Sequence, residues 1–276
     1  MKSLSAPLFD IRKSFFLRTE MDRLLTSSMC FSCMLVVVRI VHSGRLLFIF
    51  MIWNLFLAYI PYALSTWLKA RYSACHSDET SPSGSRPLST RSPEAGGSWW
   101  SNFRLPGMGS AFPPAARRRG SQILLVVLTL VWLLFIPNTF YILTDLYHLT
   151  DHGRTSRVPE WYDLVLILSF AWNGLLLGVL SVRHMEKLFM PRASVLAGWL
   201  FVYPIMMLNA LGVYTGRYLR YNSWDIISDP LQLLADILDM IIHPFRNHPV
   251  WIMILCFSIL LTLIYRMFRG SSKALA

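Results

Sequence analysis

The sequence predicts an all-α fold, a polytopic transmembrane bundle of six spans with an outer amphipathic helix. Three observations carry that reading. Only 15% of the 276 residues are charged, against 54% apolar and 14% aromatic, whereas soluble domains carry roughly 25% charged residues. Six stretches, 24–41, 46–68, 122–143, 161–182, 193–214 and 250–265, are almost uncharged, and about 20 such residues are needed to cross a hydrocarbon core as a helix. Finally, Lys and Arg alternate in density from one connecting segment to the next, as the positive-inside bias requires.

That alternation also disposes of a nucleic-acid reading of the net charge of +11. Nineteen of the 26 Lys and Arg lie in the N-terminus, the second and fourth connections and the C-terminus. The bilayer is therefore the expected partner, no nucleic acid is expected, and protein partners are left open. Both termini are expected in the cytoplasm. Asp145, Asp151, Glu160, Asp163, Asp225, Asp229, Asp236 and Asp239 cluster in the third and fifth connections, which suits an acidic outer rim.

In chain order, residues 1–23 form a basic cytoplasmic N-terminus, and the run that follows reads as an uncleaved first span because no small-residue cleavage pattern succeeds it. Its Cys30 and Cys33 lie within the apolar run, so they read as small packing residues rather than as a redox pair. Spans one and two occupy 24–68. In the second, Asn54, Ala58 and Pro61 share a helix face, and an amide and a proline in hydrocarbon belong towards the bundle interior. Residues 69–120, rich in Ser, Pro, Gly and Arg, are expected as a disordered cytoplasmic loop.

Residues 121–268 hold spans three to six. Pro137 is expected to kink the third span, with Asn138 donating to an uncovered carbonyl. Asn173 accompanies a Gly174-x-x-x-Gly178 pair in the fourth span, a spacing that admits close helix approach. The cluster Arg183, His184, Glu186, Lys187 and Arg192 reads as an inner loop. In the fifth span Asn209, Gly212, Gly216 and Arg220 share a face if the helix continues, with Arg217 close in angle. Asp229 and Pro230 read as an N-cap and first helical residue, opening an amphipathic helix over 230–243 whose apolar side is Leu231, Leu234, Ile237, Leu238 and Ile241. Residues 269–276 form a cytoplasmic tail.

The chemistry concentrates at 135–149, FIPNTFYILTDLYHL. As an α-helix it places Asn138, Tyr141, Asp145, His148 and His152 within roughly an 80° arc. With Asn54, Asn173 and Asn209 from the other middle spans, and with Arg217 and Arg220 as charge partners for Asp145 or Asp225, these residues suggest a polar pocket open to the outside. Asp145 and His148 at i, i+3 are weak candidates for a metal, with Asp151, His152, His243 and His248 nearby; the expectation is of no metal, and cofactors stay unknown. The same pair suits acid-base chemistry, with Thr144, Ser169 and Ser223 as conceivable nucleophiles.

The motifs FIPNTFYILTDLYHL, IWNLFLAYIP and GRYLRYNSWDIISDP, in that order, resemble the bacterial membrane-protein family catalogued as domain of unknown function 1361. The resemblance covers 46–68 and 122–265, and makes Asn54, Pro61, Pro137, Asn138, Tyr141, Thr144, Asp145, His148, Arg217, Arg220, Asn222, Trp224 and Asp225 family-typical. It implies a multi-pass inner-membrane protein and no particular activity. Three functions stay open: binding or passage of a small polar molecule or ion at the pocket, an enzyme acting on a lipid or envelope precursor through Asp145 and His148, and a structural or accessory subunit.

Overall fold

The computed structural model describes residues 20–79, 114–149, 158–190, 195–221 and 228–274. Expectations that fall on 1–19, on 80–113, or on Asp151, His152, Asn222, Ser223, Trp224 and Asp225 lie outside them. The described residues form helices α1 (Glu20–Ser43), α2 (Ile49–Glu79), α3 (Pro114–Phe135), α4 (Pro137–Tyr141), a 3-10 segment (Ile142–Leu149), α5 (Glu160–Phe189), α6 (Val195–Arg217), α7 (Pro230–Ile242) and α8 (His248–Ala274). Six stretches are long and apolar enough to cross a membrane, the third being α3 continued through α4 and the 3-10 segment. Exposed apolar side chains such as Phe31, Phe56, Val126, Leu168, Leu200 and Leu263 line their outer faces.

Lipid tails are as apolar as leucine, so these helices gain little from hydrophobic exclusion and associate through close packing and interhelical hydrogen bonds. The axis of the bundle is α5: 67% of its most apolar stretch is buried, against 22 to 33% in the other five. It carries the small residues that permit this. A Cβ at Gly174 would stand 2.5 Å from the Thr139 carbonyl oxygen, and one at Gly178 would stand 2.5 Å from Thr139 Oγ1. On the opposite side of α4, a Cβ at Gly212 of α6 would lie 2.5 Å from the Pro137 Cβ, and one at Gly216 would lie 3.2 Å from the Tyr141 ring. The short helix α4 is thus gripped between two glycine pairs.

Polar ties add register. Asn173 of α5 donates to Ser32 Oγ (2.9 Å) and the Ser28 carbonyl (3.2 Å) on α1. Trp132 Nε1 on α3 donates to Ser181 Oγ (2.7 Å), which lies 2.9 Å from the Pro61 carbonyl of α2, so one hydroxyl joins three spans. Arg39, 2% exposed and inside the first span, makes two bonds to the Asp163 carboxylate at 2.6 and 2.8 Å, with Phe48 stacked at 4.5 Å. Its fork geometry matches a carboxylate as no ammonium can. Arg39→Lys is accordingly expected to lower stability by about 2 kcal/mol, the loss of a charged hydrogen bond, measured by detergent-to-SDS titration.

Several local expectations need correcting. The segment 69–120 is helical at both ends, because α2 continues to Glu79 and α3 starts at Pro114; Lys69, Ala70 and Arg71 propagate a helix well, and Pro is favoured at a first helical position. Arg183, His184, Glu186 and Lys187 belong to the last turns of α5 rather than to a loop. Glu186 is buried there and receives bonds from the Tyr265 hydroxyl and the Arg269 guanidinium of α8. Helix α6 stops at Arg217, with Tyr218 N bonded to Tyr214 O, Tyr221 N to Thr215 O and Arg220 at φ 61°. A left-handed residue at this point ends a helix, so Arg220 leaves the face that Asn209, Gly212 and Gly216 share.

Helix α7 begins as the dipeptide predicts, Asp229 Oδ1 accepting from Gln232 N with Pro230 in the first turn. Its bundle-facing side is Leu233, Ile237 and Met240; the last packs on Ala210 and Ile254, and its carbonyl accepts from Trp251 Nε1 at 3.1 Å. Leu231, Leu234, Leu238 and Ile241 form a second, exposed apolar face.

Candidate functional site

The site begins with Pro137. Having no N–H and a ring that collides with the preceding turn, proline interrupts the α-helical ladder, and the chain turns at Ile136 between α3 and α4. Asn138 Nδ2 then donates to the Phe135 carbonyl at 3.1 Å, and Thr139 Oγ1 to that of Ile136 at 2.8 Å, which satisfies acceptors at the break.

Beyond Tyr141 the chain winds as a 3-10 helix instead of the expected α-helix. Three residues per turn eclipse positions i and i+3. Ile142, Asp145 and His148 therefore stack as one ridge, and Tyr141, Thr144 and Tyr147 as the next. Arg217, at the end of α6, takes partners from both. Its Nη1 lies 3.2 Å from Asp145 Oδ1 and 3.4 Å from His148 Nε2, its Nη2 donates to the Thr144 carbonyl at 3.0 Å, and its guanidinium carbon stands 5.9 and 5.7 Å from the Tyr141 and Tyr147 ring centres. Arginine has only donors, so His148 Nε2 accepts. Asp145 is 1% exposed, and Asn54 Nδ2 of α2 donates to its other oxygen at 3.3 Å.

Beside this cluster is a cavity of about 420 Å³, walled by α2, α3, α4, α6 and α7. Asn54, Asn138, Tyr141, Thr215 and Tyr221 supply its polar lining. The remainder is apolar or glycine: Leu130, Leu133, Leu134, Pro137, Leu208, Leu211 and Gly212 among others, closed by Leu233 and Ile237 of α7. No charged side chain lines it among the described residues. Asn54 and Tyr141 belong both to the wall and to the Asp145–Arg217 cluster.

Of the residues the sequence singles out, Asn54, Asn138, Tyr141, Asp145, His148 and Arg217 come together. Asn173 does not: its amide is tied to α1 and to the Ser169 carbonyl. Asn209, although between the wall residues Leu208 and Leu211, does not line the cavity; it is buried and donates to the Ile205 carbonyl at 2.9 Å. Arg220 is exposed beyond the helix end, and Asp225 lies outside the described residues. His148 Nε2 is 4.0 Å from Asp145 Oδ1, with the arginine between them in charge terms. Among the described residues no three His, Cys, Asp or Glu side chains gather as a metal would require. His243 pairs with Asp239 at 3.1 Å, and His248 Nδ1 lies 3.1 Å from the Phe245 carbonyl. Thr144 and Ser169 donate their hydroxyl protons to carbonyls three residues back, at 2.7 Å each.

Sequence reasoning missed Thr215, Tyr221 and Tyr147, and left open whether the amphipathic helix lies on the outer surface or caps the bundle. It also missed the Arg39–Asp163 and Glu186–Arg269 pairs. For those pairs a signal exists: each places a charge inside or against an apolar run, and such charges face a partner.

The fold and its site define a multi-pass helical membrane protein with a polar cluster and an adjoining cavity between its spans. Residues 110–264 match the family described as Protein of unknown function (DUF1361), and the chain belongs to it. The matched stretch contains Asp145, His148 and Arg217 and leaves α1 and α2, with Asn54, outside. No curated protein and no solved structure matches the chain.

Proposed function

We propose that this is a bacterial inner-membrane protein with both termini in the cytoplasm, which binds a small polar molecule in the cavity beside Asp145 from the outer side. The single observation that carries the reading is the convergence of amide, phenol and hydroxyl groups from α2, α4, α6 and the segment after α6 on one cavity. Concave sites with a few convergent polar groups among apolar walls are the usual form of a ligand pocket, typically 300 to 1,000 Å³. The molecule is uncharged, because no charged side chain lines the cavity among the described residues and an ion in this wall would lack a partner. The excess of Lys and Arg in alternate connections supports the orientation.

A cysteine at position 215 tests both parts. In a background with Cys30, Cys33, Cys75 and Cys256 replaced, Thr215→Cys is expected to react with a membrane-impermeant maleimide added outside intact cells. Reaction only after the inner face is opened overturns the orientation. An unreactive thiol in both conditions, in protein that remains folded, overturns the water-accessible pocket.

A further inference from the structure

The order of side chains along the cavity carries more than its composition. On the third span the lining runs Leu130, Leu133, Leu134, then Pro137, Asn138 and Tyr141. On α6, the fifth span, it runs Leu208, Leu211, Gly212, then Thr215 and Gly216, with Tyr221 beyond. Third and fifth spans point the same way through the bundle, so both walls change from apolar to polar in one direction. The second span points the other way, and its lining runs Trp53, Asn54, then Leu57: polar first. All three walls thus agree on one polar end, at the Asp145 side, and one apolar end, deeper among the spans. From Leu130 to Tyr141 the wall is roughly 16 Å long at 1.5 Å per residue.

The cavity is also open sideways. Leu130 is 60% exposed and Trp53 52%, although both line it. They sit at opposite ends, and Leu133, Leu134, Asn54 and Leu57 between them are half-buried, so the rim of the cavity adjoins the lipid-facing surface. Leu234 and Leu238 of α7, on the face next to the covering residues Leu233 and Ile237, are exposed as well.

The polar end selects further. Thr215 Oγ1 donates its one proton to the Gly212 carbonyl at 3.1 Å, and the Tyr221 hydroxyl donates to Asp236 at 2.8 Å. Towards any other partner both are acceptors. Asp236 stands behind Tyr221 and Asp145 behind Asn54, while Arg217 is engaged with Asp145. An anionic head would meet two carboxylates, with Arg217 already engaged. A hydroxylated, uncharged head would meet acceptors.

We infer that the occupant is a single-chain amphiphile of the outer leaflet, its uncharged hydroxylated head at Asn54, Thr215 and Tyr221 and its chain between Leu130, Leu133 and Leu208, entering sideways from the lipid. This rests on the pocket proposed above and specifies its ligand. A cavity of about 420 Å³ is of single-ligand size, which favours one chain over two.

The test uses the full-length protein in phosphatidylcholine nanodiscs and a monoacylglycerol carrying a diazirine in its chain. Cross-links are expected on peptides containing 130–134 or 208–211. Unlabelled monoacylglycerol is expected to compete at least about tenfold better than free glycerol, and better than lysophosphatidic acid of the same chain length. Glycerol competing equally would show a pocket for a free polar molecule and overturn the amphiphile alone. Lysophosphatidic acid competing better overturns the uncharged head. Cross-links spread over all lipid-facing helices, uncompeted, overturn the site, and the cysteine at position 215 reports separately whether the pocket itself is accessible. Leu133→Trp, which fills the apolar end, is expected to reduce cross-linking at least about fivefold while leaving the reactivity of that cysteine unchanged.

Discussion

Arg217→Leu lowers the stability of the protein by about 3 to 5 kcal/mol, the usual consequence of removing one partner from a buried ion pair. Asp145 is 1% exposed and Arg217 is its only cationic partner among the contacts described, at 3.2 Å. The arginine is tied to two further groups on the 3-10 segment, the Thr144 carbonyl and His148. Its loss therefore uncouples the end of α6 from the third span as well as exposing a charge to a dry site. The magnitude reflects the charge left behind more than the worth of the pair, since a buried pair exchanged as a whole for apolar groups is often neutral. Asp145→Asn combined with Arg217→Leu is thus expected to recover at least about half of the loss. The measurement is SDS titration of detergent-solubilised protein followed by tryptophan fluorescence, arranged as a double-mutant cycle. Independent, additive effects of the two substitutions would sink the account.

The same pair shows how far a single sequence can be read. Asp145 and Arg217 stand 72 positions apart, yet a carboxylate and a guanidinium at the same ends of neighbouring apolar runs have few alternatives in hydrocarbon, so their pairing follows from cost. The six spans follow for the same reason, and so does the break at Pro137. The winding after Tyr141 is another matter. Positions i+3 and i+4 are both compatible with the order Tyr141, Asp145, His148, and the 3-10 geometry, with α5 packed along the segment and Arg217 bonded to it, is visible only in the fold. Asn173 groups with the other asparagines because each middle span holds one, but its partners lie on α1, whose Ser28 and Ser32 carry no sequence sign of the pairing. An amide in lipid demands a partner without specifying which helix provides it. Arg39 and Glu186 carry the signal of a charge in or against an apolar run, but they lie near span ends, where a long side chain can also reach the interface, so the sequence does not name their partners. The cavity itself depends on α7 folding back over α3 and α6, a tertiary event that the amphipathic pattern of 230–242 permits in either of two rotations.

The substitution Gly174→Ala, which would ordinarily favour a helix by about 0.8 to 1.0 kcal/mol, is expected to destabilise this one by about 1 to 3 kcal/mol through overpacking. The added Cβ would stand 2.5 Å from the Thr139 carbonyl oxygen and 3.2 Å from the Ile142 side chain. The nearest atom is backbone and cannot rotate away, so α4 must move. Gly212 then meets Pro137 from the opposite side, its own Cβ position being 2.5 Å from the ring, and leaves no room for that movement. Gly270→Ala, where nothing lies within 4 Å, provides the matched control and is expected to be neutral or slightly stabilising. The contrast separates contact from helix propensity, because both glycines are helical and only one is enclosed. Because α4 carries Asn138 and Tyr141 into the cavity wall, a shift there changes the pocket as well as the stability. Gly174→Ala should therefore alter the reactivity of a cysteine at position 215 under conditions where the protein remains folded, whereas Gly270→Ala should leave it as it was. Equal stability of the two variants would mean that α4 is not clamped, and that the position of the cavity is set by some other contact than the glycine pairs.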